Sequence, residues 1–400
     1  MALLAVTRTA GAQAPEERAT TETTDTIDLV RRWFRADQAQ PRAPFDPTSR
    51  MAAFAPVIGY KPESKLTLGA AGNVAYYRGD PHDTRISSGI LSLTVTTEGQ
   101  TGINFRYSHF ASGDHWKVDG DNRFQWTSQN TYGLGAATPS SARVNAKYDF
   151  FRVYNSVYRA VQRGVFVGAG LHFNTQTNVR PRDDMQAAWP TSGFVQYSEL
   201  HNLPLDSQTS GGVSASLMYD TRDNPINPYR GSMANVSYRP FFKGFLGGDT
   251  SWQELSLDAR TYVSLSADRR HKLAFWFWGD LVTGGVAPYF DLPAIGMDTY
   301  GRSGRGYGEG RYRGERLLYG EVEYRAPVSS NGLLGWVAFL NTTTLTNLQE
   351  GQQLFDNFAP GAGAGLRLLF NKHSRTNICL DLGFGKDGSR GVYLAVQEAF

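Results

Sequence analysis

The chain has 400 residues, 40% of them apolar and 13% aromatic, with 43 glycines, a mean hydropathy of −0.39 and a formal charge of +3. No window approaches the ~18 uncharged apolar residues of a membrane helix, which excludes a helical membrane protein. Balanced charge leaves no electrostatic case for nucleic acid as a partner, and a single cysteine, Cys379, excludes an internal disulfide and a cysteine-based zinc cluster.

Met1 to Ala14 reads MALLAVTRTAGAQA and closes on Ala12-Gln13-Ala14, a small-x-small pattern of the kind signal peptidase cleaves. Residues 1–14 are therefore expected to be a signal peptide, with an apolar stretch short enough to suggest that its beginning is missing. Residues 15–52 are expected to be a periplasmic linker or short N-terminal segment. Within it, Thr26 to Phe34 is amphipathic and forms a helix or plugs a barrel from below.

From residue 53 to Phe400 the text changes to short alternating runs broken by Gly, Asp, Asn and Pro, which is the pattern of strands and turns. At roughly 10 residues per spanning strand and ~12 per connection, this length gives about sixteen strands. High aromatic and glycine content with modest hydropathy suits a chain in which only alternate residues meet lipid.

The alternation is explicit. In Glu254 to Leu265, Leu255, Leu257, Ala259, Thr261, Val263 and Leu265 share one face, and Glu254, Ser256, Asp258, Arg260, Tyr262 and Ser264 share the other. Leu318 to Arg325 places Glu321, Glu323 and Arg325 together, opposite Val322 and Tyr324. Asn377 to Phe384 sets Ile378, Leu380, Leu382 and Phe384 against Cys379, Asp381 and Gly383. A two-sheet soluble sandwich has the same period with the opposite sense, its apolar face turned inward. The chain end separates the two: Val392, Leu394, Val396, Glu398 and Phe400 alternate to an aromatic terminus, like the terminal strand signal of bacterial outer-membrane barrels.

Two segments go beyond fold class. The first, Tyr219-Asp220-Thr221-Arg222-Asp223-Asn224-Pro225, continues through Asn227-Pro228-Tyr229-Arg230-Gly231 and is a turn whose Asp, Asn and Pro residues satisfy its own backbone. The second, Gly301 to Glu315, holds six Gly and four Arg in fifteen residues, a composition that lets backbone enter a confined space with cations at its tip. It is no phosphate-cradling loop, because no helix and no Gly-Lys-Ser/Thr follows.

Together these residues resemble the BamA and TamA superfamily of outer-membrane assembly and translocation barrels, the bacterial surface antigen family. The resemblance runs from Ala55 to Phe400. It includes Pro56-Val57-Ile58-Gly59-Tyr60, the Asp220–Pro225 turn, the strand end Phe277-Trp278-Gly279-Asp280, and Arg305-Gly306-Tyr307, which matches the family's arginine-glycine-aromatic loop. It implies an all-β transmembrane antiparallel barrel with that loop folded inward and its arginine paired with acids on the inner wall. Glu321 and Glu323, placed inward by alternation, are the expected counter-charges, with Arg305 and Glu323 the favoured pair; the loop's minimum role is to brace the wall. Where a further inward acid is usual on the next strand, this chain has Asn341. Residues 15–52 leave no room for a polypeptide-transport-associated domain, so the resemblance is to a short form lacking them.

The implied role is outer-membrane biogenesis, inserting or translocating a client polypeptide or lipid through a weakly paired seam, with Gly383, Gly385 and Gly391 loosening the terminal strands. A passive diffusion pore or structural barrel is the alternative. Expected partners are outer-membrane lipid, both phospholipid and lipopolysaccharide, with a client outer-membrane protein or a periplasmic partner chain beside them. The seven histidines are scattered and no Gly-x-Ser-x-Gly elbow occurs, so neither an enzyme, a metal nor a cofactor is expected.

Overall fold

The computed structural model describes residues 23–33, 50–61, 65–268 and 270–400; the expected signal peptide, 1–14, lies outside them. The first half of the sheet consists of β1 (Met51–Lys61), β2 (Lys65–Tyr76), β3 (Ser87–Thr96), β4 (Thr101–Phe110), β5 (Trp116–Thr131), β6 (Val144–Gln162), β7 (Val165–Pro181) and β8 (Gln208–Asp220). β9 (Gly231–Phe241), β10 (Trp252–Ser264), β11 (Lys272–Gly285), β12 (Arg316–Pro327), β13 (Leu334–Leu345), β14 (Ala359–Asn371), β15 (Thr376–Gly385) and β16 (Arg390–Val396) complete it. All sixteen lie in one sheet in sequence order, each antiparallel to its neighbours. The sheet curls until β1 and β16 come within 8 Å, although among the described residues no ladder joins them.

Side-chain polarity decides between barrel and sandwich. Leu91 and Leu93 of β3 lie across from Phe105 and Ile103 of β4, and Leu380 and Leu382 of β15 from Leu394 and Val392 of β16; all are exposed. Their opposite faces bury charge: Glu254 on β10, and Glu321, Glu323 and Arg325 on β12. Such an inside-out wall has its apolar face in lipid and its polar face in the lumen. No helix among the described residues is long and apolar enough to cross a membrane.

Because the strand number is even, both chain ends fall at one end of the barrel. The far end carries the longest connections, 182–207 and 286–315. In the first of these, α2 (Gly193–Leu200) starts at Ser192, whose hydroxyl accepts from Val195 N at 3.3 Å, the usual N-cap arrangement. Phe194 and Tyr197 of α2 pack with Tyr289 and Phe290 of the second connection and with Tyr148 of β6 and Trp252 of β10. This aromatic cluster fills the lumen toward the far end.

At the terminal end the connection 221–230 spans the lumen as a strut. Asn224 accepts from the backbone of Ile226 and Asn227 at 2.7 and 3.0 Å, closing the turn on itself. Arg85, ahead of β3, binds Asp220 at 3.2 Å, while Asp223 is held at 2.8 Å by Arg375 of the β14–β15 turn. Strands far apart around the barrel are thus linked through one turn. Gly231, at φ +99°, makes the exit, where a Cβ would stand 2.4 Å from the Thr221 carbonyl oxygen.

One expectation needs correction here. The run to Phe400 is not one strand: β16 stops at Val396, Gln397 adopts φ +75°, and the last residues turn into the lumen. Phe400 packs 5.3 Å from Trp276 of β11 instead of facing lipid. The amphipathic stretch does form a helix, α1 (Thr26–Trp33), but it docks on the rim by β14, and the strut occupies the mouth.

Between strut and far-end loop lies a cavity of about 260 Å³, with Arg222 and Ile226 on one side, Phe290 and Asp291 on the other, and Arg239 and Glu254 in the wall. A second cavity of about 390 Å³ lies beside the loop against Ser92, Asn104 and Arg106. The aromatic cluster and the strut thus obstruct the interior at either end rather than along its whole width, and they predict little ion flow. In planar bilayers the chain should conduct far less than an open sixteen-stranded pore, and the double substitution Tyr289→Ala, Phe290→Ala should raise its conductance. A large, steady current from the unaltered chain would contradict a filled lumen.

Candidate functional site: the Arg305 loop and its ion cage

The connection 286–315 enters the lumen because it has partners all around the wall. Arg313 donates to the carbonyls of Tyr289 and Leu292 at 2.9 and 3.0 Å and to Gln129 of β5 at 2.9 Å, folding the loop on itself and tying it to the wall. Asp291 accepts from Ser210 of β8 at 2.5 Å and from Gln176 of β7 at 3.3 Å. Burial pushes its carboxyl above the usual carboxylate range, and these hydrogen bonds oppose that. Arg123 of β5 donates to the Asp298 and Thr299 carbonyls at 2.9 and 3.1 Å.

Arg305 is 1% exposed and lies against β12–β15. Its guanidinium donates to Glu321, to Glu323 and, at 2.7 Å, to Asp381 of β15. Strand register explains the convergence: Glu321 pairs with Asn341 and Glu323 with Phe339 on β13, so the guanidinium also sits 3.7 Å over the Phe339 ring. Asn341 donates to the Arg305 carbonyl at 3.0 Å, so the residue that replaces an acid holds the loop's backbone instead. Burial alone would weaken the guanidinium's charge; Glu321, Glu323 and Asp381 more than offset it and keep it protonated.

The cage extends further. Arg325 donates to Glu323 at 2.5 Å and to the Phe400 backbone oxygen at 3.0 Å. Arg367 of β14 bridges Asp381 at 2.5 Å and Glu398 at 2.7 Å, while Asn377 donates to Glu398 at 2.6 Å. Three guanidiniums thus interleave with four carboxylates, and the inward-turned chain end belongs to the same network. Glu398 turns inward to Arg367, not along a lipid-facing strand.

Gly306 and Tyr307 fix the loop to the last strands. The Gly306 amide donates to the Tyr393 hydroxyl of β16 at 2.9 Å, and that hydroxyl donates to the Tyr307 carbonyl at 2.9 Å. Tyr307 donates its hydroxyl proton to the Pro360 carbonyl and accepts from the Lys386 amide at 2.9 Å. This contact requires bare backbone: a Cβ on Gly383 would lie 2.6 Å from Gly306 N, and one on Gly385 2.4 Å from the Tyr307 ring. Gly383 pairs in register with Gly391, so these glycines make room for the loop rather than loosen the ladder.

Of the residues singled out from sequence, Arg305, Gly306, Tyr307, Glu321 and Glu323 meet here, and Phe400 reaches the same network. Asp220, Arg222, Asp223, Asn224 and Pro225 form the separate strut, where Arg222 binds Asp220 at 2.8 Å. Asp381, Arg367 and Glu398 are cage members that sequence reasoning misses. Alternation puts Asp381 on the polar face, but nothing in sequence aims it at Arg305.

Arg305→Ala leaves the buried Glu321 without a cation and takes one of the cations from Glu323 and Asp381, and should cost about 3–5 kcal/mol, whereas Glu323→Gln, which keeps the shape, should cost about 1–3 kcal/mol. Gly383→Val should displace the loop and approach the Arg305→Ala effect. Urea unfolding followed by the heat-modifiable band on gels measures all three; equal stability of Arg305→Ala and the unaltered chain would contradict the cage.

Sixteen sequential antiparallel strands, a polar lumen and an inward loop on β12–β16 set the frame for comparison. No protein of curated function matches the chain in sequence. Among solved structures it is similar to BamA of Haemophilus ducreyi in a form lacking POTRA domains 1–3, with TM-score 0.53 and 15% identity, over 87% of this chain and 69% of that one. It is also similar to CdiB of Acinetobacter baumannii, with TM-score 0.54 and 12% identity over 87% of this chain and 59% of that one. For CdiB of Escherichia coli the TM-score is 0.54 at 12% identity, over 89% and 62%; the chain thus spans about three fifths of either CdiB. The Omp85 superfamily domain matches residues 91–384, most of the barrel. The chain belongs to the Omp85 superfamily and is a β-barrel of the outer membrane.

Proposed function

We propose that this barrel serves outer-membrane biogenesis, inserting or translocating a client polypeptide or lipid. The observation that carries this reading is the attachment of the Arg305 loop to β12–β16, beside an edge where β1 and β16 meet without a ladder among the described residues. An unladdered edge leaves backbone N–H and C=O groups free to pair with an incoming strand. β16 is short, and its tail leaves the sheet at Gln397. In this reading the cage acts mechanically, keeping β12–β15 rigid and holding β16 through Tyr393, so that only the β1 side yields.

Short turns at the terminal end and long loops at the far end fit periplasmic and extracellular sides respectively. The terminal mouth would then receive the client, directly or from a periplasmic partner chain, with phospholipid and lipopolysaccharide around the wall. The alternative, a passive pore, has the filled lumen against it.

Reconstituted in liposomes, the unaltered chain should speed the folding of an unfolded client barrel added from urea, and Arg305→Ala should lose most of that acceleration. Arg311→Ala supplies the comparison, since Arg311 anchors the loop to the Thr138 carbonyl at 2.7 Å, away from the cage, and should keep it. No acceleration by the unaltered chain would remove the biogenesis reading.

A further inference from the structure

α1 is built the wrong way round for water. Asp25 and Asp28 cap its first turn reciprocally: Asp28 N donates to Asp25 at 2.9 Å and Asp25 N to Asp28 at 3.3 Å. The same two carboxylates dock the helix on the barrel, Asp25 accepting from the Lys372 amide at 2.9 Å and Asp28 from the Lys372 ammonium at 2.8 Å. Thr26 donates to the Phe370 carbonyl of β14 at 3.0 Å, and the Thr24 amide to the Asn331 carbonyl of the β12–β13 turn at 3.1 Å. The acids of the first turn therefore face protein.

An apolar stripe faces outward. Leu29, Val30 and Trp33 lie on one side at helical spacing and are 41%, 55% and 86% exposed. A helix at a protein–water surface turns such a stripe to the core and its acids to solvent, and eight residues alone make a marginal helix. The reversed arrangement is the stable one where the outer medium is a membrane interface, in which tryptophan is the favoured anchor. What surrounds α1 agrees: Val328, Leu334 and Trp336 on the neighbouring rim and Leu366 on β14 are exposed in the same sector of the lipid-facing band.

We propose that α1 is an interfacial anchor whose Leu29–Val30–Trp33 stripe sits at the headgroup–acyl boundary of the leaflet at the terminal end, while its acids pin it to the β14 rim. The inference rests on the outer-membrane placement of the barrel and not on its role in biogenesis. The helix thereby fixes the chain ahead of β1 to the membrane surface beside the last strands.

The test places an environment-sensitive fluorophore on Val30→Cys in the otherwise unaltered full chain, folded into phosphatidylethanolamine–phosphatidylglycerol vesicles and checked for heat-modifiability. Cys379 is buried, so the chain without the new cysteine serves as the blank. Thr23→Cys, an exposed position just before the helix, is the aqueous reference. We expect nitroxide-bearing lipids to remove most of the Val30→Cys emission while iodide leaves it intact, with the reverse at Thr23→Cys. Iodide quenching without lipid quenching at Val30→Cys overturns the proposal, because the stripe then stands in water. Shielding from both quenchers overturns it too, because protein then covers the stripe.

Discussion

A guanidinium removed from water must be met on nearly every side, and much of this barrel's interior is arranged around that requirement at Arg305. Leaving it unpaired would cost several kcal/mol. Two glutamates two residues apart on β12 supply one side, because alternate residues of a strand share a face. Asp381 supplies another from three strands away, which is possible only because the wall curves. The phenyl face of Phe339 covers the guanidinium, while the amide of Asn341 holds the Arg305 carbonyl. A cage with contributions from four adjacent strands and one loop fixes their relative placement, since a register slip by one residue would turn every one of these groups to lipid.

The same constraint shapes the rest of the lumen. Four acids collected at one place require more than one cation, and Arg325 and Arg367 answer that need while linking the cage to the chain terminus. The tail turns inward because Glu398 finds Arg367 and Asn377 there and Phe400 finds Trp276; outside, Glu398 would meet lipid. Close approach of the loop demands glycine at Gly383 and Gly385, so the glycine content of the last strands reflects backbone packing against Arg305-Gly306-Tyr307.

Much of this is legible in sequence because strand alternation is local. Strand number and the shared polar face of Glu321 and Glu323 follow from length and period two, whereas the inside-out sense, which a sandwich reverses, follows only from the resemblance to outer-membrane barrels. Partnerships between distant strands are not legible. Asp381 can be assigned a face but not a partner, since its meeting with Arg305 depends on barrel curvature and on the path of a thirty-residue-scale loop that no local pattern fixes. The Asp220–Pro225 turn reads as self-satisfied, which Asn224 bears out; its reach to Arg85 and Arg375 is invisible until the ring brings the β2–β3 and β14–β15 turns to its two sides. Phe400 departs from its expected place because alternation does not carry past Val396 through Gln397, where a positive φ breaks the strand.

Rigid and yielding parts are therefore distributed unevenly around the ring. β12–β16 share an ion cage, a packed loop and the chain terminus, whereas the edge between β16 and β1 has no ladder among the described residues. If the wall is to open, the energetically least expensive place is where no ladder among the described residues must break, and the heavily cross-linked strands beside it would keep their shape as it did so. A lumen filled by the strut and loop favours passage along the wall over passage through the centre. In the proposed role the Arg305 cage would act through what it prevents, confining deformation to one edge.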